Sequence, residues 1–303
     1  WNGGASPAMA DNSFNAPGIY TVTVTAANGC ISTESITITQ DATKPAAAIT
    51  NNTGVTELTC STQAISVTAA GGVSYSWNGG ASPAMADNSF NAPGTYTVTV
   101  TAANGCTATE SITITQDASK PAAAITNNTG ETVLTCTTQA ISVTATGGAS
   151  YSWNGGASPA TAGNSFNTPG IYTVTVTAAN GCTSTASITI SQDANKPVAA
   201  ITNNTGATVL TCSTQSISVT AAGGVSYSWN GGASPATADN SFNVPGIYTV
   251  TVTAANGCTS TESITITQDA TKPVAAITNN TGATVLTCST QAISVTATGG
   301  VSY

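Results

Sequence analysis

The chain has no histidine and no arginine, and only four lysines and twelve acids among its 303 residues. Missing histidine removes the commonest general acid–base group. So little positive charge, against a net of −8, leaves nothing to neutralise phosphates and excludes nucleic acid as a partner. No apolar run approaches the roughly 20 residues of a membrane span. No CxxC pair is present, so the eight cysteines do not read as a zinc site. Helical periodicity is lacking throughout. Carboxylate pairs of the glycosidase kind are lacking too, because only Asp41, Asp117, Asp193 and Asp269 recur at one position in every copy. No enzyme, cofactor or metal centre is expected.

What is present is repetition. Trp1, Trp77, Trp153 and Trp229 stand 76 residues apart, and "YTVTVTAANGC" begins at Tyr20 and returns unchanged at Tyr96, Tyr172 and Tyr248. Periods of this size signal an array of small domains. The expected division is 1–42 as the C-terminal part of one repeat, 43–118, 119–194 and 195–270 as whole repeats, and 271–303 as the N-terminal part of another. The stretch reads as a window on a longer array.

Apolar residues make up 40% of the chain, mostly Ala, Val and Ile, which is too β-rich for a disordered tail. Within 43–118, "KPAAAIT" and "TELTC" predict short strands around the turn "NNTG". "AISVTAA" alternates, with Ile65 and Val67 on one face. After Gly71-Gly72, "VSYSW" places Val73, Tyr75 and Trp77 on a common face, and "NGG" is a strong turn signal. "ASPAMADNSFNAPG" reads as loose, with Phe90 its one large apolar residue. Tyr96, Val98 and Val100 then face inward, and Ile112 and Ile114 return on the last strand. Six or seven short strands of this kind predict an all-β chain of tandem immunoglobulin-like β-sandwich domains, arranged head to tail. The expected core positions are Trp77, Tyr96, Trp153, Tyr172, Trp229 and Tyr248.

The motif "YSWNGG…F…PGTYTVTVTAANGCTATESITIT" resembles the immunoglobulin-like and PKD-like repeats of Bacteroidota surface proteins, including the SprB-type gliding adhesins. The resemblance covers essentially the whole chain, four times over. It implies an extracellular array at a bacterial cell surface, gliding motility as context, and export by a type IX secretion system. It is nearly silent on ligand.

Cys30, Cys60, Cys106, Cys136, Cys182, Cys212, Cys258 and Cys288 fall at alternating gaps of 30 and 46 residues. Two per repeat suggest disulfides in an oxidising compartment. In an immunoglobulin-type sandwich the second and sixth strands run the same way. Cys60 precedes the second strand and Cys106 follows the sixth, so a strand of roughly 26 Å separates them. A disulfide needs Cα atoms within about 7 Å. Head-to-tail stacking instead brings Cys60 towards Cys182 and Cys136 towards Cys258, which is the favoured pairing. Intradomain pairs and free thiols remain open. In the favoured arrangement Cys30, Cys106, Cys212 and Cys288 are unpaired or have partners outside this stretch.

Every lysine (Lys44, Lys120, Lys196, Lys272) precedes a proline, which denies trypsin-like proteases a good site. The "QDATKP" aspartates invite a junction calcium, against the plainer reading of a solvated linker. Asp87 and Glu110 become Gly163 and Ala186 in another copy, which weakens the calcium reading. Lys44, sitting in a linker, suits an isopeptide crosslink poorly. "NNT" at Asn51, Asn127, Asn203 and Asn279 marks exposed turns more than glycan sites. Threonine rows are ordinary solvent faces of strands, and lateral self-association through weakly protected edges stays open.

The expected function is a structural stalk or filament of a surface adhesin, gaining length, rigidity and protease resistance from disulfide-stabilised domains. Its partners are further repeats of the same chain or head-to-tail neighbours. The alternative is a binding module in which each repeat engages a glycan, ice or a host surface.

Overall fold

The structure, a computed structural model, describes residues 1–302. Tyr303, the last residue of the expected 271–303 segment, lies outside the described residues. Secondary structure among the described residues is strand, with no helix. Two compact units divide the chain. Among the described residues, the first holds 1–124, 145–152 and 175–186, and the second holds 125–144, 153–174 and 187–302.

The first unit opens with β1 (Gly18–Thr25) and β2 (Ile31–Ile38), an antiparallel hairpin. Seven strands follow: β3 (Ala48–Asn51), β4 (Glu57–Leu58), β5 (Ile65–Ala70), β6 (Ser74–Trp77), β7 (Asp87–Phe90), β8 (Gly94–Thr101) and β9 (Thr107–Gln116). They make a three-stranded sheet in the order β3-β5-β7 and a four-stranded sheet in the order β4-β9-β8-β6. All pairs are antiparallel except β4 with β9, which is parallel. Alternation explains the packing. Ile65, Val67 and Ala69 of β5 and Val98 and Val100 of β8 turn to the buried side, while intervening Ser and Thr face solvent. Leu58, Trp77, Phe90 and Ile114 complete this core, and each such side chain contributes about 1.5–3 kcal/mol of burial.

The elements of the next period are β10 (Ala124–Asn127), β11 (Val133–Leu134), β12 (Ile141–Thr146), β13 (Ser150–Trp153), β14 (Gly163–Phe166), β15 (Gly170–Thr177) and β16 (Thr183–Gln192). In the second unit β12 pairs antiparallel with β14, and β11 parallel with β16 through Val133–Ser191 and Leu134–Gln192.

That unit also contains β17 (Ala200–Asn203), β18 (Val209–Leu210), β19 (Ile217–Ala222), β20 (Ser226–Trp229), β21 (Asp239–Phe242), β22 (Gly246–Thr253) and β23 (Thr259–Gln268). Their sheets, β17-β19-β21 and β18-β23-β22-β20, enclose Leu210, Ile217, Val219, Trp229, Phe242, Val250, Val252 and Ile266. A last hairpin joins β24 (Ala276–Asn279) to β25 (Val295–Thr298). The fold is thus all-β, built of tandem immunoglobulin-like sandwiches.

Two local expectations change. "DNSF" is an ordered strand rather than loose chain, because β7 pairs along β5 from Ile65–Phe90 to Thr68–Asp87. Its Asn88 is buried, accepts from Ser82 N and Ser89 N, and donates to Gly79 O. Three bonds to one buried amide meet its hydrogen-bonding demand and pin the loop. Val73, expected on the face of Trp77, is 70% exposed. It lies before β6, where its backbone N–H reaches Thr101 O at 2.8 Å and holds it at the strand end.

Candidate functional site

The "NGC" triplet closes its own hairpin first. Between β15 and β16, Ala178 N donates to Cys182 O at 2.9 Å and Gly181 N to Ala178 O at 3.0 Å, while Asn180 Oδ1 accepts from Cys182 N at 3.0 Å. That leaves the amide Nδ2 free to reach outward. It donates 3.0 Å to Ser119 O in the linker 61 residues earlier. Asn104 holds Thr43 O in the same way at 3.0 Å, and Asn256 holds Asn195 O at 2.9 Å.

Each linker is shaped to be held. Asp117 Oδ1 accepts from Ser119 N at 2.9 Å, and Asp41, Asp193 and Asp269 make the same i,i+2 turn. At Asp41, Asp117 and Asp269 these bonds favour the ionised carboxylate. The Ser119 side chain, then its backbone N–H and Asn180, hold Asp117 below its ordinary 3.8. Asp41 is lowered by the Thr43 backbone, the Thr43 hydroxyl and Asn104, and Asp269 by the Thr271 side chain and backbone. Among the described residues no cluster of three or more His, Cys, Asp or Glu side chains is placed to hold a metal ion.

On the other side of the joint, Thr59 makes a tight turn. Thr59 N donates to Thr62 O and Thr62 N to Thr59 Oγ1, both at 2.9 Å, which presents Cys60 and Ser61. Cys60 is bonded to Cys182 with Cα atoms 4.9 Å apart, and Cys136 to Cys258 at 5.0 Å. Each bridge spans 122 residues. The first lies wholly within the first unit and the second wholly within the second. Beside the first, Ser61 N and Oγ both donate to Asn180 O at 3.3 Å.

Gly181 is required twice over. Its φ is +81°, and a Cβ there would meet Ser61 Cβ at 2.8 Å. A Cβ on Gly257 would likewise overlap Thr137 Cγ2, whereas one on Gly105 would meet nothing within 4 Å. Cys182 and Cys258 are each 1% exposed, whereas their partners sit at the surface. Cys30, Cys106, Cys212 and Cys288 are not bonded; Cys106 is half-buried and the other three are exposed.

Trp77, Trp153 and Trp229 are buried, each 5% exposed. Tyr96, Tyr172 and Tyr248 are half-buried, their rings stacked 3.8 Å from Phe90, Phe166 and Phe242. Sequence reasoning passed over Asn104, Asn180 and Asn256 as turn residues, and Asn88, Asn164 and Asn240 as loop. A signal did exist. Both asparagines persist in every copy while neighbours change, as Asp87 does to Gly163.

Neither a protein-family model nor a curated protein matches the chain. Among solved structures it is similar to part of a 1.5-MDa bacterial ice-binding adhesin studied for host cell surface retention, with TM-score 0.37 and 15% identity over 76% of this chain and all of that one. It is similar to a tetra-tandem repeat from the extending region of a large adhesion protein, with TM-score 0.25 and 18% identity over 84% and 82%. Murine CEACAM1b gives TM-score 0.23 and 11% identity, over 48% of this chain and all of that one. Likenesses this low leave function to be read from the chain's own residues.

Proposed function

We propose that the chain is a length-giving stalk segment of an extracellular adhesin, in which each 76-residue period (43–118, 119–194, 195–270) is one sandwich bead and each of the two linkers between these beads is closed by a covalent clasp. One observation carries this reading. The two disulfides join residues 122 apart and overlap between Cys136 and Cys182, so neither closes a loop inside one period.

A disulfide that stabilised only a bead would sit inside it. One that ties the start of a bead to the hairpin of the next acts on the linker, which is already gripped by Asn180 and stiffened by Pro121. Disulfides persist in oxidising surroundings, and the Lys–Pro linkers deny proteases a site, both of which suit exposure outside a cell. The finer placement, at a bacterial surface, in the gliding-adhesin branch and exported by type IX secretion, rests on the resemblance of the repeat motif. Further repeats of the same chain are the natural partners of the unpaired cysteines.

Electron microscopy of the protein before and after mild reduction tests the reading. Oxidised molecules should keep one narrow distribution of bend angle between beads, and reduced ones should broaden it. Equal distributions in the two states would refute the clasp.

A further inference from the structure

Almost every asparagine side chain among the described residues is hydrogen-bonded within the protein, and the exceptions fall in one place. The amides of Asn2, Asn12, Asn28 and their counterparts along the chain all hydrogen-bond within the protein. Among the described residues only Asn15, Asn91, Asn167 and Asn243 have side-chain amides with no protein partner. These four occupy one position, the second asparagine of "NSFN".

Three of them line a recurrent groove. The groove at Asn243 encloses about 550 Å³ and is walled by Gln215, Ser216, Ser241 and the half-buried ring of Tyr248. The same groove recurs at Asn167 with Tyr172, at about 320 Å³, and at Asn15 with Tyr20, at about 260 Å³. Each lies within a single unit.

The tyrosine is left bare by its neighbours. A Cβ on Gly231 would meet Tyr248 Cε1 at 3.3 Å, and one on Gly246 would meet Cε2 at 3.6 Å. Neither residue has a positive φ, unlike Gly232 at +95°, so backbone conformation does not require glycine there. Two absent side chains therefore leave ring carbons Cε1 and Cε2 uncovered, while one face stays stacked on Phe242. The hydroxyl of Tyr248 donates to Val244 O at 2.9 Å, which fixes the ring and leaves the phenolic oxygen able to accept.

We propose that this groove binds a neutral saccharide, one sugar unit per repeat. A flat aromatic surface pre-set by its stack on Phe242 suits the C–H face of a pyranose. An unpartnered amide with a Ser hydroxyl at its rim (Ser13, Ser165 or Ser241), joined at Asn243 by Gln215, suits sugar hydroxyls. No charged side chain lines any of the three grooves, and the net charge of −8 repels sulfated or phosphorylated glycans, so the ligand is uncharged. Single sites of this depth bind weakly, and several on one chain multiply the avidity. The site is separate from the clasp and does not depend on it.

The test is affinity electrophoresis of the full oxidised chain in gels containing neutral glucan, mannan or galactan, with dextran sulfate as the anionic control. The companion variant carries Asn15, Asn91, Asn167 and Asn243 all changed to Ala. These side chains are exposed and unbonded, so its melting temperature should match the parent. Retardation by at least one neutral polymer, reduced about tenfold or more in the variant, supports the site. A second variant with Gly3, Gly79, Gly155 and Gly231 all changed to Val should lose retardation by covering the rings. Retardation by none of the neutral polymers, by dextran sulfate instead, or equally in parent and Asn variant, overturns it.

Discussion

Pulling the chain from its two ends measures how the bridges are wired. Without disulfides, 198 residue steps separate Cys60 from Cys258. With both bridges closed, the shortest covalent route crosses from Cys60 to Cys182, runs backwards 46 residues to Cys136, and crosses to Cys258. That leaves 152 residues slack, out of reach of the force. At ~3.5 Å per extended residue, reduction should release about 530 Å of contour length, less the roughly 10 Å that the two bridges span.

The single-bridge variant lacking Cys136 and Cys258 should hide 122 residues, about 430 Å, so the second bridge adds only about 100 Å. Single-molecule force spectroscopy with and without reductant resolves these lengths. Intradomain pairs such as Cys60–Cys106 would hide 46 residues each and release about 160 Å per bridge. Release in such steps would refute the overlapping arrangement.

Other outcomes follow from the same geometry. Gly257→Ala and Gly105→Ala share a positive φ and its strain of roughly 1–2 kcal/mol, but only the former pushes on Thr137. Thiol titration should therefore find the Cys136–Cys258 bridge incompletely formed in Gly257→Ala alone, and equal titration of both variants would count against the packing at the joint. Asn240→Ala removes the amide that satisfies Ser234 N, Ser241 N and Gly231 O. It should destabilise its sandwich by about 2–4 kcal/mol in chemical denaturation, and a loss under 0.5 kcal/mol would mean water replaces it.

The linker carboxylates Asp41, Asp117 and Asp269 are lowered in the folded state. The stability they add is therefore complete above 3.8 and drains away as pH falls through their folded values. Hydrogen-exchange protection factors at Thr43, Ser119 and Thr271, corrected for the intrinsic pH dependence of exchange, should fall below about pH 4 and stay flat from pH 5 to 8, and a fall beginning near pH 6 would point elsewhere.

Much of this fold is written in local pattern. Strict alternation over "YTVTVT" and "SITIT" marks β8 and β9, and the spacing of Trp77 from Tyr96 marks the core between them. β7 escaped because "DNSF" is four residues with one apolar side chain. Its place is set by pairing with β5 and by the three bonds of Asn88, and both are tertiary facts. Val73 was misjudged because period-two counting does not see where a strand begins. The half of the joint contributed by Asn180 was hidden for a related reason. "NG" announces a turn, and nothing local reveals that the amide left over will reach Ser119, 61 residues away.

The 122-residue bridge also dictates an order of events during biogenesis. Cys106 emerges only 46 residues after Cys60, far sooner than Cys182. In an unfolded chain the shorter loop closes more readily by about 0.9 kcal/mol, or roughly fourfold. Oxidant meeting nascent chain would therefore trap the wrong pair more often than the right one. The sandwich must form first, with its thiols reduced, and meet oxidant only once its neighbour has docked.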